Sequence, residues 1–277
     1  MTDASDPMAG TGIDTSVPHS ARIWNYWLGG KDNYPVDRAA GDSWIALNPE
    51  ITTVARTSRA FLNRSVTYVA REAGIRQFLD VGTGLPTADN THQVAQRAAP
   101  DARVVYVDHD PLVLAHARAL LVGTPEGETR YLDADMREPE KLLAGAREVL
   151  DFDRPVALMF MQVLGHIGDL DQARALVRTM FEPLIPGSYL ILNEGSNTVA
   201  GESVKQAQDE YTDTGAVPYI TRTPEEIESL FPTENVEWVE PGFVSVPFWR
   251  PDPASGVSTI GEDLEPVDAY GGVVRKV

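Results

Sequence analysis

Hydrophobic and polar positions change period near residue 75, and that change divides the chain. Before it, apolar residues recur at helical spacing. Ser16 and Pro18 read as cap and first-turn residues of a helix carrying Ile23, Tyr26, Trp27 and Leu28, which Gly29-Gly30 interrupts. Pro35 and Trp44 bracket a second short helix. A third runs from about Ile51 to Ala73, with Val54, Ala55, Phe61, Leu62, Val66 and Val69 on one stripe and Gly74 as its stop. Beyond it, short β-branched runs alternate with helical segments. The pattern predicts strands at 76–81, 103–107, 129–132, 156–162 and 188–193, and helices at about 88–98, 111–121, 139–149 and 169–183. Such alternation argues for an α/β fold with a parallel sheet covered on both faces. Thr223-Pro224-Glu225-Glu226 forms a capping box that opens a helix to Phe231. VEWV (236–239) and FVSVPFW (243–249), parted by Glu240-Pro241-Gly242, read as a terminal antiparallel hairpin. The expected organisation is a flexible terminus over 1–14, a helical cap over 15–74, one α/β domain over 75–250 and an irregular tail over 251–277.

Composition narrows the partners more than the fold. A 277-residue chain that is 43% hydrophobic can bury a full core. It has no run of roughly 18 apolar residues, so no membrane-spanning helix is predicted. The start, MTDASDPMAGTG, lacks the basic and apolar stretches of a secretory signal, and a cytoplasmic location is expected. With no cysteine, disulfides and thiolate sites are ruled out. A net charge of -18 repels phosphates and anionic headgroups, which disfavours nucleic acid and membrane surfaces and leaves a small molecule as the expected partner. No H-E-x-x-H or comparable spacing occurs, so no metal is expected, and there is no G-x-S-x-G elbow.

Candidate chemistry starts at QFLDVGTGLPT (77–87), where an apolar strand ends in Asp80, and Gly82, Thr83 and Gly84 form the turn to the next helix. Glycines there let a backbone approach a ligand closely. The next strand, RVVYVDHDP (103–111), ends in Asp108, an acid placed to accept hydrogen bonds from ribose hydroxyls, while Asp110 suits the cap of the helix at Pro111. Dinucleotide sites carry a third glycine that is missing from Gly82-Thr83-Gly84-Leu85-Pro86-Thr87, which favours S-adenosylmethionine over NAD. In YLDADMREP (131–139), Asp135 and the Met136 backbone are candidates for the adenine. Asn90, His92, Gln162 and His166 border the carboxyl edge of the sheet, where open α/β folds place ligands. A hydroxyl acceptor would need its proton removed, and His166 is the leading base, with His92 and His19 behind it.

Over residues 75–250 the chain resembles class I S-adenosylmethionine-dependent methyltransferases: DVGTG, YVDHD, DADM, MFMQVLGHIGD and LIPGSYLILNEGS stand where that class carries its motifs. PHSARIWNYWLGGKDNYPVDRAAGD (18–42) and GTGLPTADNTHQVAQ (82–96) resemble, more narrowly, a bacterial S-adenosyl methyltransferase family. The resemblance implies a Rossmann-like seven-stranded sheet in the order 3-2-1-4-5-7-6 with the last strand antiparallel. It implies Gly82, Thr83 and Gly84 at the methionine part, Asp108 at the ribose, and Asp135 with Met136 at the adenine. Asp80 and Gln162 belong to the same expected cofactor site. Gly29 to Tyr34 form a polar elbow suited to a lid, in which Lys31 or Tyr34 would contact the methionine carboxylate. The expected activity is methyl transfer to a small molecule; a non-catalytic S-adenosylmethionine-binding module and an NAD-dependent oxidoreductase are the alternatives.

Overall fold

Five strands, β1 (Gln77–Val81), β2 (Arg103–Asp108), β3 (Glu128–Asp133), β4 (Ala157–Met161) and β5 (Tyr189–Gly195), pair in parallel in the order β3-β2-β1-β4-β5. Successive side chains on a strand face opposite ways, and here each direction meets a core. Phe78, Val104, Tyr106, Met159 and Ile191 share one cluster with residues of α3 (Ile51–Arg71) and α4 (Thr91–Ala98). Leu79, Val105, Leu158, Phe160 and Leu190 share the other with α6 (Pro139–Ala146) and α7 (Leu170–Phe181). This double coverage is why β1, β4 and β5 read as continuous apolar runs. Each large side chain so buried stabilises the fold by about 1.5–3 kcal/mol, and a one-residue slip would exchange the two sets between cores. The computed structural model describes residues 14–87, 89–120, 123–199, 201–214, 216–251 and 264–277, except the side chains of 116–120 and 202.

The remaining elements are α1 (Ser20–Trp27), α2 (Pro35–Leu47), α5 (Pro111–Leu120), α8 (Glu202–Asp213) and α9 (Pro224–Glu228). The first helix begins later than its sequence suggests: the cap is His19, whose Nδ1 accepts from the Ala21 N–H (3.3 Å), not Ser16. Of the terminus expected to be flexible, residues 1–13 lie outside the described residues, and the Asp14 carbonyl accepts from Arg22. The capping box at Thr223 is formed, with Glu226 N–H donating to Thr223 Oγ1 (3.2 Å) and Thr223 N–H to Glu226 Oε2 (3.0 Å). α8 has no counterpart in the sequence reading. Its ESVKQAQDEYTD is mostly polar, and among its described side chains Val204, Ala207 and Tyr211, spaced by one turn each, are the ones buried against the neighbouring helices.

The C-terminal region departs most from expectation. VEWV and FVSVPFW do not pair with each other. β6 (Val236–Trp238) and β7 (Val244–Ser245) both pair antiparallel with β8 (Ala269–Lys276), which lies within the stretch expected to be an irregular tail. β8 also pairs antiparallel with β5, so the sheet runs β3-β2-β1-β4-β5-β8-β6, and β8 takes the slot expected for FVSVPFW. Pro247 has no N–H to give a sheet. The chain turns away there through a 3-10 turn (Val246–Phe248) that seats Trp249, fully buried, with its ring 5.4 Å from Phe61 and 6.1 Å from Tyr68. Gly271 and Gly272 make β8 look like a loop, yet a Cβ on Gly271 would overlap the Leu192 carbonyl and one on Gly272 would lie 2.8 Å from Trp238. Residues 252–263 of the expected tail lie outside the described residues.

Candidate cofactor and acceptor site

A cavity of about 290 Å³ opens at the carboxyl ends of β1, β2, β4 and β5, bounded by α1, α2, α3 and α8. Its first end is made by the bend after β1. Gly82 and Gly84 have φ of +73° and +63°, where a side chain is strained, and a Cβ on Gly82 would overlap Val163. The Asp108 carboxylate holds the bend from β2: Oδ2 takes the Gly84 N–H (2.8 Å), and Oδ1 takes those of His109 (2.9 Å) and Asp110 (3.1 Å). Three of about four lone-pair positions are thereby engaged, leaving one on Oδ2. Asp80 is 4% exposed and accepts from Thr91 Oγ1 (2.6 Å); burial pushes its pKa up to about 6, against that hydrogen bond and the attraction of Arg59. Arg59, from α3, lines the same end, hydrogen-bonds Thr87 Oγ1, and reaches Asn90 Oδ1 at 3.3 Å. Asp110 caps α5 through Leu112 and Val113 and meets His19 Nε2 at 2.7 Å. Burial raises the Asp110 pKa, but the His19 contact and the α5 amides outweigh it and bring it to about 2.

The other end is assembled from distant segments. Gln162 follows β4 with φ +58°, a conformation costing a non-glycine residue of order 1–3 kcal/mol. It is held by its own N–H to Asn193 O (2.9 Å), by Nε2 to Ser58 Oγ (3.2 Å), and by the Tyr219 hydroxyl on Oε1 (2.8 Å). Glu194, 1% exposed, accepts from the N–H groups of Val163, Leu164 and Gly165 at 2.8–3.1 Å and shares the one Tyr219 hydroxyl proton (2.7 Å) with Gln162; burial raises its pKa against these bonds. Through Glu194, the turn that carries His166 is tied to β5 and to Tyr219. His166 Nδ1 lies 2.9 Å from the Pro218 carbonyl. That oxygen only accepts, so Nδ1 carries the proton and Nε2 is the acceptor in the neutral ring. Burial holds the His166 pKa below its ordinary 6.5. Trp24, Trp27, Trp44 and Tyr211 continue the wall as neighbouring rings 5.8, 5.8 and 6.0 Å apart.

Of the residues singled out from sequence, Asp80, Gly82, Thr83, Gly84, Asp108, Met136, Gln162 and His166 line this one cavity. Four do not. Lys31 is exposed, and Tyr34 packs beside Leu85, Leu112 and Val113 under the Arg22 guanidinium, because the elbow is folded outward around Asn25, which accepts from Asp32 N–H (3.0 Å) and Asn33 Nδ2 (3.0 Å). His92 is 1% exposed, with its N–H on the Tyr106 hydroxyl (2.7 Å) and Nδ1 2.9 Å from it, so it serves the packing of α4 on β2. The Asp135 side chain takes the Arg137 N–H (2.9 Å) and leaves the wall there to Ala134 and Met136. His19 lines the cavity with its Nε2 committed to Asp110. Sequence reasoning missed Arg59, Ser58, Asn193, Glu194 and Tyr219. An acid and an amide inside the apolar strand ILNEG were the one local signal for Asn193 and Glu194. Tyr219 lies 57 positions beyond Gln162 and had none.

Among the described residues no helix is long and apolar enough to cross a membrane. Solved structures place the fold among methyltransferases. The chain is 44% identical to a DUF574-family protein from Streptomyces avermitilis, with a TM-score of 0.88 over 95% of this chain and 99% of that one. It is 38% identical to a candidate methyltransferase from Thermobifida fusca, with a TM-score of 0.83 over 99% of each chain. The plantazolicin methyltransferase BpumL, solved with a triazolic desmethyl analogue and S-adenosylhomocysteine, shares the fold at 12% identity, with a TM-score of 0.50 over 93% of this chain and 96% of that one. No curated protein matches the chain. The family model described as S-adenosyl methyltransferase matches residues 6–277, and the chain belongs to that family, a Rossmann-like methyltransferase with S-adenosylmethionine as its cofactor.

Proposed function

We propose that the protein methylates a small organic acceptor, with the cofactor at the glycine end of the cavity and the acceptor at the aromatic end. The observation that carries this reading is the Gly82–Gly84 bend clamped by Asp108 and facing Arg59 across one cavity. The fit to the cofactor rests on chemistry at matching places. Positive φ at two glycines leaves a cradle for the methionine chain. Arg59 is the cation for its carboxylate, a role the outward elbow leaves open, and Asp80 is the anion for its ammonium. Asp108 Oδ2 retains one acceptor position for a ribose hydroxyl. Ala134 and the Met136 main chain take the adenine.

When bound, S-adenosylmethionine supplies an electrophilic methyl group, and its sulfur keeps the electron pair of the broken C–S bond. The chain's own task is then positioning and proton transfer. Gln162, braced in its strained conformation by Ser58 and Tyr219, shapes the floor between the two ends. His166 takes the proton of a hydroxyl or amine acceptor on Nε2, since its Nδ1 is tied to Pro218 and burial keeps the ring neutral at pH 7. A net charge of -18 supports a small acceptor over a nucleic acid. Titration calorimetry with S-adenosylhomocysteine tests the cofactor site: we expect saturable one-site binding that Asp108→Ala weakens, and a protein that takes up no S-adenosylhomocysteine would refute the reading.

A further inference from the structure

The aromatic end of the cavity carries chemistry that methyl transfer as such does not require. α3 runs along it, presenting Ile51, Val54, Ser58 and Leu62 at one- and two-turn spacing, with Arg59 beside the glycine bend. At about 1.5 Å per residue, Ile51 lies roughly 10 Å from Ser58. A fused two-ring system is about as long as that stretch of the helix, which faces Trp24, Trp27, Trp44 and Tyr211 across the cavity. Three polar side-chain atoms in this wall have no hydrogen-bond partner: Asn193 Oδ1, Trp44 Nε1 and the Tyr211 hydroxyl. Asn193 is fully buried; its Nδ2 donates to Ser58 Oγ (3.1 Å), while its Oδ1 accepts from nothing. Turning the amide over would not help, because it exchanges an orphaned acceptor for an orphaned donor. Trp44 is 7% exposed, and its Nε1–H likewise has no acceptor. An unpaired buried polar group costs about 1–3 kcal/mol, which a ligand group of matching polarity would recover.

Charge limits the occupant further. Among the described residues lining the cavity the fixed cations are Arg59 and Arg137, both at the glycine end. Nothing at the aromatic end would pair an anionic acceptor. Asp268, a carboxylate that lines the cavity, is engaged by the Val199 N–H (2.8 Å) and Thr198 Oγ1 (3.3 Å). The four rings pack against one another edge-on or tilted and do not enclose a point charge.

We infer that the acceptor is an uncharged, flat aromatic molecule that presents an O–H or N–H to Asn193 Oδ1 and a carbonyl or ether oxygen to Trp44 Nε1. The inference rests on the methyltransferase reading above and gives that site its substrate class. The group bonded to Asn193 lies where β4 and β5 end, beside the Gly82 bend, and is the one methylated. Its oxygen or nitrogen gains the methyl carbon, and its proton passes to His166.

The test uses the full chain loaded with S-adenosylhomocysteine and four probes of one shape: 7-hydroxycoumarin, 7-methoxycoumarin, coumarin-7-carboxylate and 7-trimethylammoniocoumarin. Calorimetry should show 7-hydroxycoumarin binding about tenfold or more tightly than each of the others. Asn193→Leu should abolish the preference over the methoxy probe. Trp44→Phe, a smaller change that keeps an aromatic ring, should weaken 7-hydroxycoumarin several-fold with S-adenosylhomocysteine affinity intact. If the carboxylate or the ammonium probe binds best, the methoxy probe binds equally well, or no probe binds, the inference fails while the cofactor reading stands. If S-adenosylhomocysteine itself does not bind, both fail.

Discussion

At the glycine end of the cavity, the wall is a run of consecutive backbone atoms and the carboxylates at the tips of two neighbouring strands. At the aromatic end, the wall is side chains from α1, α2, α3, α8, β5 and the loop bearing Tyr219. The first construction uses groups whose positions follow from strand pairing: Asp80 and Asp108 stand at the ends of β1 and β2, which pair in register from Gln77 with Arg103 onward. On the proposed reading it recognises what is constant in every turnover. The second depends on the packing of four separate helices and is where we propose the acceptor lies. A backbone-built end and a side-chain-built end share a single cavity, and Gln162 with Glu194 lies at the seam.

The sharpest way to break this division is at the bend. Gly82→Ala forces a side chain to φ +73° and into Val163. The backbone strain is about 1–3 kcal/mol and the overpacking about the same, so S-adenosylhomocysteine affinity should fall on the order of a hundredfold or more by calorimetry. Next in size is Asp108→Ala, which removes one ribose hydrogen bond and the tether on Gly84. Roughly 1.5–3 kcal/mol, or ten- to a hundredfold in affinity, should be lost; an unchanged affinity would overturn the ribose assignment.

Glu194→Gln acts at the seam. It replaces one oxygen of a carboxylate that accepts four hydrogen bonds, and should cost about 1–3 kcal/mol in denaturant-monitored stability. Turnover should fall with it, because the His166 turn loosens, while S-adenosylhomocysteine affinity changes little. Equal loss of both would mean that the two ends are not separable. Asp80 sharpens the comparison through pH. Burial raises it from 3.8 to about 6, so the fold holds this proton more tightly than the unfolded chain does; the resulting stability is full below pH 3.8, is lost as pH rises to about 6, and leaves Asp80 ionised at pH 7. A bound ammonium prefers the carboxylate. Cofactor affinity should therefore climb between pH 5 and 7, by at most about tenfold per unit below 6, and then level off. Asp80→Asn should flatten that profile. The smallest effect is at His19, which links the α1 cap to Asp110 and is one-third exposed. His19→Ala should cost about 1 kcal/mol or less, seen as a slight drop in melting temperature that high salt diminishes.

Local chemistry made the cofactor half legible. A glycine bend and an acid at a strand tip mean the same thing wherever they occur, because φ and lone pairs are properties of the residues themselves. That is how Gly82, Gly84, Asp80 and Asp108, which line one cavity, were singled out, along with the alternating α/β pattern. Lys31 and Tyr34 went the other way: their polarity suggested a ligand, but Asn25 had already engaged the elbow. β8 was illegible for a related reason. Its paired glycines look like a loop until Leu192 and Trp238 occupy the space that side chains would need.

By itself the amino-acid sequence determined the parallel sheet, the double core and the glycine bend at which we propose the cofactor binds. Period, capping and glycine conformation are short-range properties, and each is complete within a few residues. Only the tertiary structure decided that Arg59 rather than Lys31 faces the bend, that the last strand closes the sheet between β5 and β6, and that Asn193 and Trp44 line one cavity. Those outcomes depend on which surfaces exclude water together, and that is a property of the packed chain rather than of any segment.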